Sequence, residues 1–200
     1  MVSEEVKNQI EKAIAILKEG GVVVFPTETA YGLAADATNS QAVDLVYKIK
    51  GRVPEKTLPI IAGNREMAES VGYMPPMLKK LADRYWPGPL TLLLPVSRGA
   101  LAPAIVKNDQ IAVRVSSHPI AKALSEGLGA PIVSTSANVH GEPTCYDVAS
   151  VQSQFEGRPV QPNMYLDIGP LQSELPSTIV GVDDYGYPDV LRQGSIEIDL

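Results

Sequence analysis

The stretch GGVVVFPTETAYGLAAD, residues 20–36, decides the fold class. Val22, Val23, Val24 and Phe25 form a continuous apolar run, largely β-branched and bounded by Gly and Pro, which reads as a buried strand. Pro26 to Asp36 reads as a polar loop that also holds Tyr31 and Leu33. Ahead of the run, Ser3-Glu4-Glu5 offers a cap and an acidic first turn. Val6, Ile10, Ala13, Ile14 and Leu17 then recur at helical spacing until Gly20-Gly21 stops the helix. The same alternation continues outward. Residues 40–50 read as a helix stopped by Gly51, and Leu58–Ala62 as a second buried strand. Asn64 caps a short helix to Ser70, and Pro75-Pro76 opens another that Pro87-Gly88-Pro89 closes. Leu90–Val96 and Ile111–Val115 read as strands, His118-Pro119 opens a helix to Leu128, and Ile132-Val133 begins a strand running into Ser134–Asn138. The last third offers a helix near 147–155 and short strands near 164–167, 177–182 and 189–192. Alternating helices and strands predict an α/β fold with one central mixed sheet, in a single domain over residues 1–200.

Composition narrows the function. Across 200 residues there are 17 Lys+Arg, 23 Asp+Glu, 2 His and 1 Cys, for a net charge of −6. Mean hydropathy is +0.02, an ordinary globular value. One Cys excludes a disulfide framework, and with 2 His it excludes a Cys/His zinc site. No apolar run approaches the ~18 residues of a membrane span, and the charged helical N-terminus is unlike a secretory signal. The expectation is a cytoplasmic protein with no membrane contact. An acidic chain argues against general nucleic-acid binding and leaves small-molecule chemistry open.

Three polar loops follow buried strands, where open α/β sheets place their ligand crevice. In FPTETAYGLAAD, 25–36, Thr27 and Thr29 stand two apart and face the same side of extended backbone. They either recognise a ligand or cap their own turn. In KIKGRVPEKTLP, 48–59, Lys48, Lys50, Arg52 and Lys56 crowd nine positions. A phosphate ligand fits this cluster, and so does a solvated helix end. In PIVSTSANVHGEPT, 131–144, Ser134, Thr135, Ser136 and Asn138 offer more small donors than one helix cap needs, which favours a binding site. Arg114 lies in the apolar strand IAVRV and needs an anionic partner, from the protein or from a ligand. His118 reads as a helix-opening residue, His140 as surface, Cys145 as structural and Trp86 as packing. No GxxxxGK[ST], GxGxxG or GxSxG motif is present.

These loops, taken in order with WPGPLTLLL (86–94), IAVRV (111–115), STSAN (134–138), GEPT (141–144), PSTIV (176–180) and VLRQG (190–194), resemble the YrdC-type threonylcarbamoyl-AMP synthase family. The resemblance runs from Gly20 to about Gly194. It implies a twisted mixed sheet with helices packed around a large concave cavity. The implied reaction joins L-threonine, bicarbonate or CO2, and ATP into threonylcarbamoyl-AMP and pyrophosphate, with Mg2+ on the ATP. Other proteins, the tRNA threonylcarbamoyl-transferases, then modify adenosine in tRNA.

By resemblance, Lys50 and Arg52 form the KxR signature that holds phosphates and carries catalysis. Lys56, Ser136, Asn138, Thr144 and Arg192 join them around ATP. Thr29, Arg114, Ser134 and Ser177 surround L-threonine, whose carboxylate becomes the partner of Arg114. No metal-ligating side chain is implied. The sequence departs from the family pattern at Val53, Pro59, Ile61, Ser116-Ser117 and Val139-His140, and Ile61 stands where some longer members carry a threonine-contacting His. The chain resembles the short, single-domain type. Two other readings stay open. One is a paralogue with a different carbamoylation substrate. The other is a noncatalytic module with weak RNA binding.

Overall fold

The computed structural model describes residues 3–51, 58–97, 99 and 101–199. Its elements are α1 (Glu4–Lys18), β1 (Val23–Pro26), β2 (Tyr31–Ala34), α2 (Ser40–Lys50), β3 (Ile60–Ala62), α3 (Arg65–Val71), α4 (Pro76–Tyr85), β4 (Leu90–Pro95) and β5 (Gln110–Val115). They continue with α5 (Pro119–Leu128), β6 (Ile132–Val133), β7 (Thr135–Ser136), α6 (Val148–Phe155), β8 (Met164–Tyr165), β9 (Thr178–Val182) and β10 (Pro188–Arg192). A single 3-10 turn covers Pro103–Ile105. The capping chemistry sets most helix ends. Ser3, Asn39, Asn64 and Asp147 each accept backbone amides at the N-terminus of a helix, and Gly51 and Gly129 close α2 and α5 in the left-handed conformation.

The α/β class holds, but the expected single sheet is two. One has the order β7-β2-β1-β8 and the other β10-β9-β4-β5-β3-β6, both mixing parallel and antiparallel pairs. The division falls at Ser134. β6 pairs with β3 in the larger sheet, β7 pairs with β2 in the smaller, and only Ser134 separates them. The segment read as a loop after Pro26 is also corrected. Tyr31–Ala34 is a strand folded back on β1, with Val23 opposite Ala34 and Phe25 opposite Gly32. All four of its residues are buried, so it lacks the half-polar alternation by which a strand is recognised. At the second predicted strand, pairing starts at Ile60 instead of Leu58. Pro59 has no N–H for a ladder, and its carbonyl instead accepts the Ser134 amide at 2.8 Å.

The larger sheet has two differently used faces. Across one, Val133, Ile60, Val113, Leu92 and Val180 stand in register and belong to the main hydrophobic core. On the other, Ile132 and Ile61 pack against Leu17, Val23, Phe25 and Leu124. Ile61 is the register partner of Arg114, which marks where this apolar packing stops and polar lining starts. Among the described residues no helix is long and apolar enough to cross a membrane.

Candidate active site

A cavity of about 470 Å³ opens against that second face. Thr91, Ala112, Arg114, Ile179 and Arg192 form its floor. Strand periodicity explains the selection. Arg114 and Ala112 are two apart on β5, Thr91 pairs with Ile179, and Ile179 pairs with Arg192. The smaller sheet supplies the opposite wall, through the β1–β2 turn with Thr27 and Thr29 and through Ser136 at the end of β7. Ser134, at the crossing between sheets, lies on the seam. Thr144, Tyr146 and the 174–177 segment close the rim, with the Tyr146 hydroxyl donating to the Glu174 carbonyl at 3.2 Å.

Two guanidinium groups meet this space. Arg114 is buried, and its Nη1 donates to Glu28 Oε1 at 3.1 Å. The other Glu28 oxygen accepts a short hydrogen bond from the Ser116 hydroxyl. The protein thus supplies the ion partner that the sequence reading gave to the ligand, although Arg114 still lines the cavity. Burial holds the Arg114 guanidinium below the usual arginine range, and the Glu28 charge opposes that shift. Arg192 donates to the Ser177 carbonyl at 2.7 Å and to the Ser177 hydroxyl at 3.2 Å. Its guanidinium is also held low, by partial burial first and by the charge of Arg114 second. The two guanidinium groups line the same cavity, and the Arg114 charge acts against that of Arg192 there.

The hydroxyls divide into bracing and lining groups. Thr27 Oγ1 donates to the Ala30 carbonyl at 2.7 Å and accepts the Thr29 and Ala30 amides at 3.2 Å, so it braces its own turn. Thr29 Oγ1 lies 3.0 Å from Thr27 Oγ1, on the same side, as the sequence predicts. Thr91 and Ser177 hydroxyls lie 2.8 Å apart.

Behind the cavity, Lys50 Nζ donates to the Ser136 carbonyl at 2.5 Å, the Asn138 carbonyl at 2.9 Å and Asn138 Oδ1 at 3.1 Å. Asn138 Oδ1 also accepts from the Ser136 hydroxyl at 2.5 Å, while Nδ2 donates to the carbonyls of Val139 and Glu142. That amide fills its whole bonding capacity within the protein. The KxR lysine and the SxN loop are therefore one bonded unit.

Of the predicted residues, Thr29, Arg114, Ser134, Ser136, Thr144, Ser177 and Arg192 line the cavity together. Lys50 and Asn138 stand behind Ser136 and shape its loop. Arg52 and Lys56, with the departure at Val53, lie outside the described residues. The sequence reading did not assign Thr91, Tyr146 or Glu174 to the site, yet all three line it. The Thr91–Ser177 contact joins residues 86 apart, so no local spacing could reveal it. Glu28 pairs with Arg114 across 86 positions, so no local spacing announces that partner either. The minor readings stand. His118 Nδ1 caps α5 by accepting the Ile120 amide at 3.3 Å, His140 is exposed, Cys145 is buried with its thiol pushed up by desolvation, and Trp86 Nε1 donates to the Leu90 carbonyl at 2.7 Å. The Ile61 side chain lies in the apolar cluster and outside the cavity lining.

Comparison with known proteins follows the same lines. The family model Sua5_yciO_yrdC, described as Telomere recombination, matches residues 15–194. A threonylcarbamoyl-AMP synthase of Bacillus subtilis is 38% identical over 190 residues, covering 94% of this chain and 54% of that protein. One of Pyrococcus abyssi is 34% identical over 194 residues, covering 96% and 55%. The chain thus spans about half the length of these two relatives. The crystal structure of P. abyssi Sua5 complexed with L-threonine superposes with a TM-score of 0.86 at 35% identity, covering 94% of this chain and 54% of that one. Since the family pattern takes in every described segment that builds the cavity, from the β1–β2 turn to Arg192, the chain belongs to the Sua5/YciO/YrdC family.

Proposed function

We propose that this chain is a threonylcarbamoyl-AMP synthase, forming threonylcarbamoyl-AMP and pyrophosphate from L-threonine, bicarbonate or CO2, and ATP. The observation that carries the reading is the convergence of Arg114 and Arg192 on one hydroxyl-lined cavity in a chain of this family. Two relatives bear the synthase name, and a solved neighbour binds L-threonine. Arg114 receives the α-carboxylate of threonine, with Thr29 and Ser134 around the amino acid. Arg192, Ser136 and Thr144 meet the nucleotide, while Lys50 and Asn138 hold the Ser136 loop in shape. Ser177 bonds to Arg192, so the residue assigned to the amino acid touches the residue assigned to the nucleotide. The two substrates must meet there for the reaction to proceed.

The chemistry asks mainly for placement. The neutral threonine amine attacks CO2 and gives up one proton to solvent, and the resulting carbamate oxygen attacks the α-phosphorus of ATP as pyrophosphate leaves in line. Fixed cations and hydroxyls stabilise the charge that develops, and a walled cavity shields the labile carbamoyl adenylate from water. Among the described residues no group of three or more His, Cys, Asp or Glu could hold a metal ion. Mg2+ in nucleotide sites is held mainly by substrate phosphates and water with one or two carboxylates, and we assign it to the ATP phosphates. The product passes to tRNA threonylcarbamoyl-transferases in the cytoplasm.

The test is pyrophosphate release from ATP, Mg2+ and bicarbonate, with and without L-threonine. Strict dependence on threonine is the expected result. ATP binding without threonine-dependent turnover refutes the reading and favours the paralogue with another amine substrate.

A further inference from the structure

Glu28 sits at the tip of the β1–β2 turn, in the smaller sheet, yet both oxygens of its carboxylate reach the larger one. Oε1 takes Arg114 Nη1 at 3.1 Å and Oε2 takes the Ser116 hydroxyl. Arg114 lies in β5 and Ser116 just past its end, and one carboxylate bridges both. Ser116 Oγ in turn accepts the His118 amide at 3.1 Å, which ties the bridge to the start of α5. The side chains of Arg114 and Glu28 are only 8% and 14% exposed, so neither charge is left to water. A guanidinium is a rigid plane with five N–H donors. Fixing Nη1 limits the direction of that plane, and the rest of the fork serves the cavity that Arg114 lines.

We infer that Glu28 is a positioning residue for the amino-acid substrate, aiming Arg114 at the α-carboxylate from across the two sheets. The inference rests on the threonine reading above. An arginine side chain has many rotamers to lose when it is ordered. With Glu28 in place that freedom is lost on folding, so threonine does not have to order Arg114 when it binds. The same carboxylate links the turn bearing Thr27 and Thr29 to the floor strand β5, and so fixes the opening between the two walls.

Three variants test this: Glu28→Gln, Glu28→Asp and Ser116→Ala. Threonine is titrated at saturating ATP, and ATP at saturating threonine. Glu28→Gln is expected to raise KM for threonine about tenfold, equivalent to about 1.4 kcal/mol, with KM for ATP within about twofold of the parent. Glu28→Asp, which keeps the charge, recovers part of the loss. Ser116→Ala, which frees one carboxylate oxygen without removing the ion pair, gives a smaller rise in KM for threonine and serves where Glu28→Gln does not fold. An unchanged KM for threonine in a folded variant, or equal rises for both substrates, overturns the inference. A second readout does not depend on activity. Nitrogen NMR of the Arg114 guanidinium should show slow Nη exchange in the parent and averaging in Glu28→Gln, whereas slow exchange in both overturns the positioning role. A parent protein without threonine-dependent turnover refutes the synthase reading alone, and the NMR comparison still decides whether Glu28 orders Arg114.

Discussion

The side chain of His118 shows how one residue can carry a pH dependence without taking part in chemistry. Its Nδ1 accepts the Ile120 amide and must be unprotonated to do so. Burial holds its pKa below the ordinary 6.5, and the nearby Glu28 charge opposes that shift. Below about pH 6.5 the unfolded chain therefore binds a proton that the folded chain refuses, so stability falls as the pH drops toward the folded-state pKa. Urea midpoints at pH 7.5 and 5.5 should differ more in the parent than in His118→Asn, which retains a capping oxygen and loses the titration. Equal pH slopes in the two proteins would show that His118 contributes nothing to the acid response. The sequence alone identified His118 as a helix-opening residue. Its proximity to Glu28 comes from the packing of β5 against the β1–β2 turn.

At the scale of elements, the C-terminal segment holds the cavity floor in place. A Cβ on Gly194 would stand 2.1 Å from the Pro176 carbonyl oxygen, 2.5 Å from the Ser177 carbonyl carbon and 2.6 Å from the Thr178 nitrogen. These are backbone atoms and cannot swing aside. Thr178, fully buried, accepts the Gly194 amide at 3.0 Å and donates to the Ile196 carbonyl at 2.7 Å, and the Ser195 amide bonds to the Pro176 carbonyl at 2.9 Å. Gly194 thus lets the segment after β10 lie flat on the start of β9, beside the Arg192–Ser177 contact. Gly194→Ala should cost about 1–3 kcal/mol by overpacking. It should also weaken nucleotide binding, because displacing Ser177 displaces its partner Arg192. Thermal unfolding and ATP titration check this, and a variant with parental melting temperature and affinity would contradict the packing argument.

For the molecule as a whole, the cavity is a gap between two sheets that the chain joins at Ser134 and that Glu28 bridges. A ligand contacting both walls binds the native state and not the unfolded chain, so it must raise the unfolding temperature. At a hundredfold excess over Kd the gain is about 2.7 kcal/mol. L-threonine with ATP should therefore shift the melting temperature upward by several degrees, and more than ATP with an amino acid lacking the side-chain hydroxyl. Differential scanning calorimetry measures both shifts, and equal shifts for the two amino acids would mean that the hydroxyl lining does not select threonine.

The sequence by itself determined the α/β class, most helix ends, most strand positions and a set of site residues that the cavity largely reunites. Those features depend on nearest neighbours along the chain. Caps such as Asn39 and Asn64, Gly51 in the left-handed conformation, and apolar runs such as Val22–Phe25 act over a few residues. Tertiary structure alone decided that there are two sheets, that Tyr31–Ala34 is a strand, that Lys50 braces the Ser136–Asn138 loop, and that Glu28 is the partner of Arg114. Each of these depends on contacts between distant segments: Lys50 meets Asn138 across 88 positions, and Glu28 meets Arg114 across 86. A buried charge requires a partner wherever it lies, so the sequence can announce the need. Only the packing of one sheet against the other settles which residue meets it.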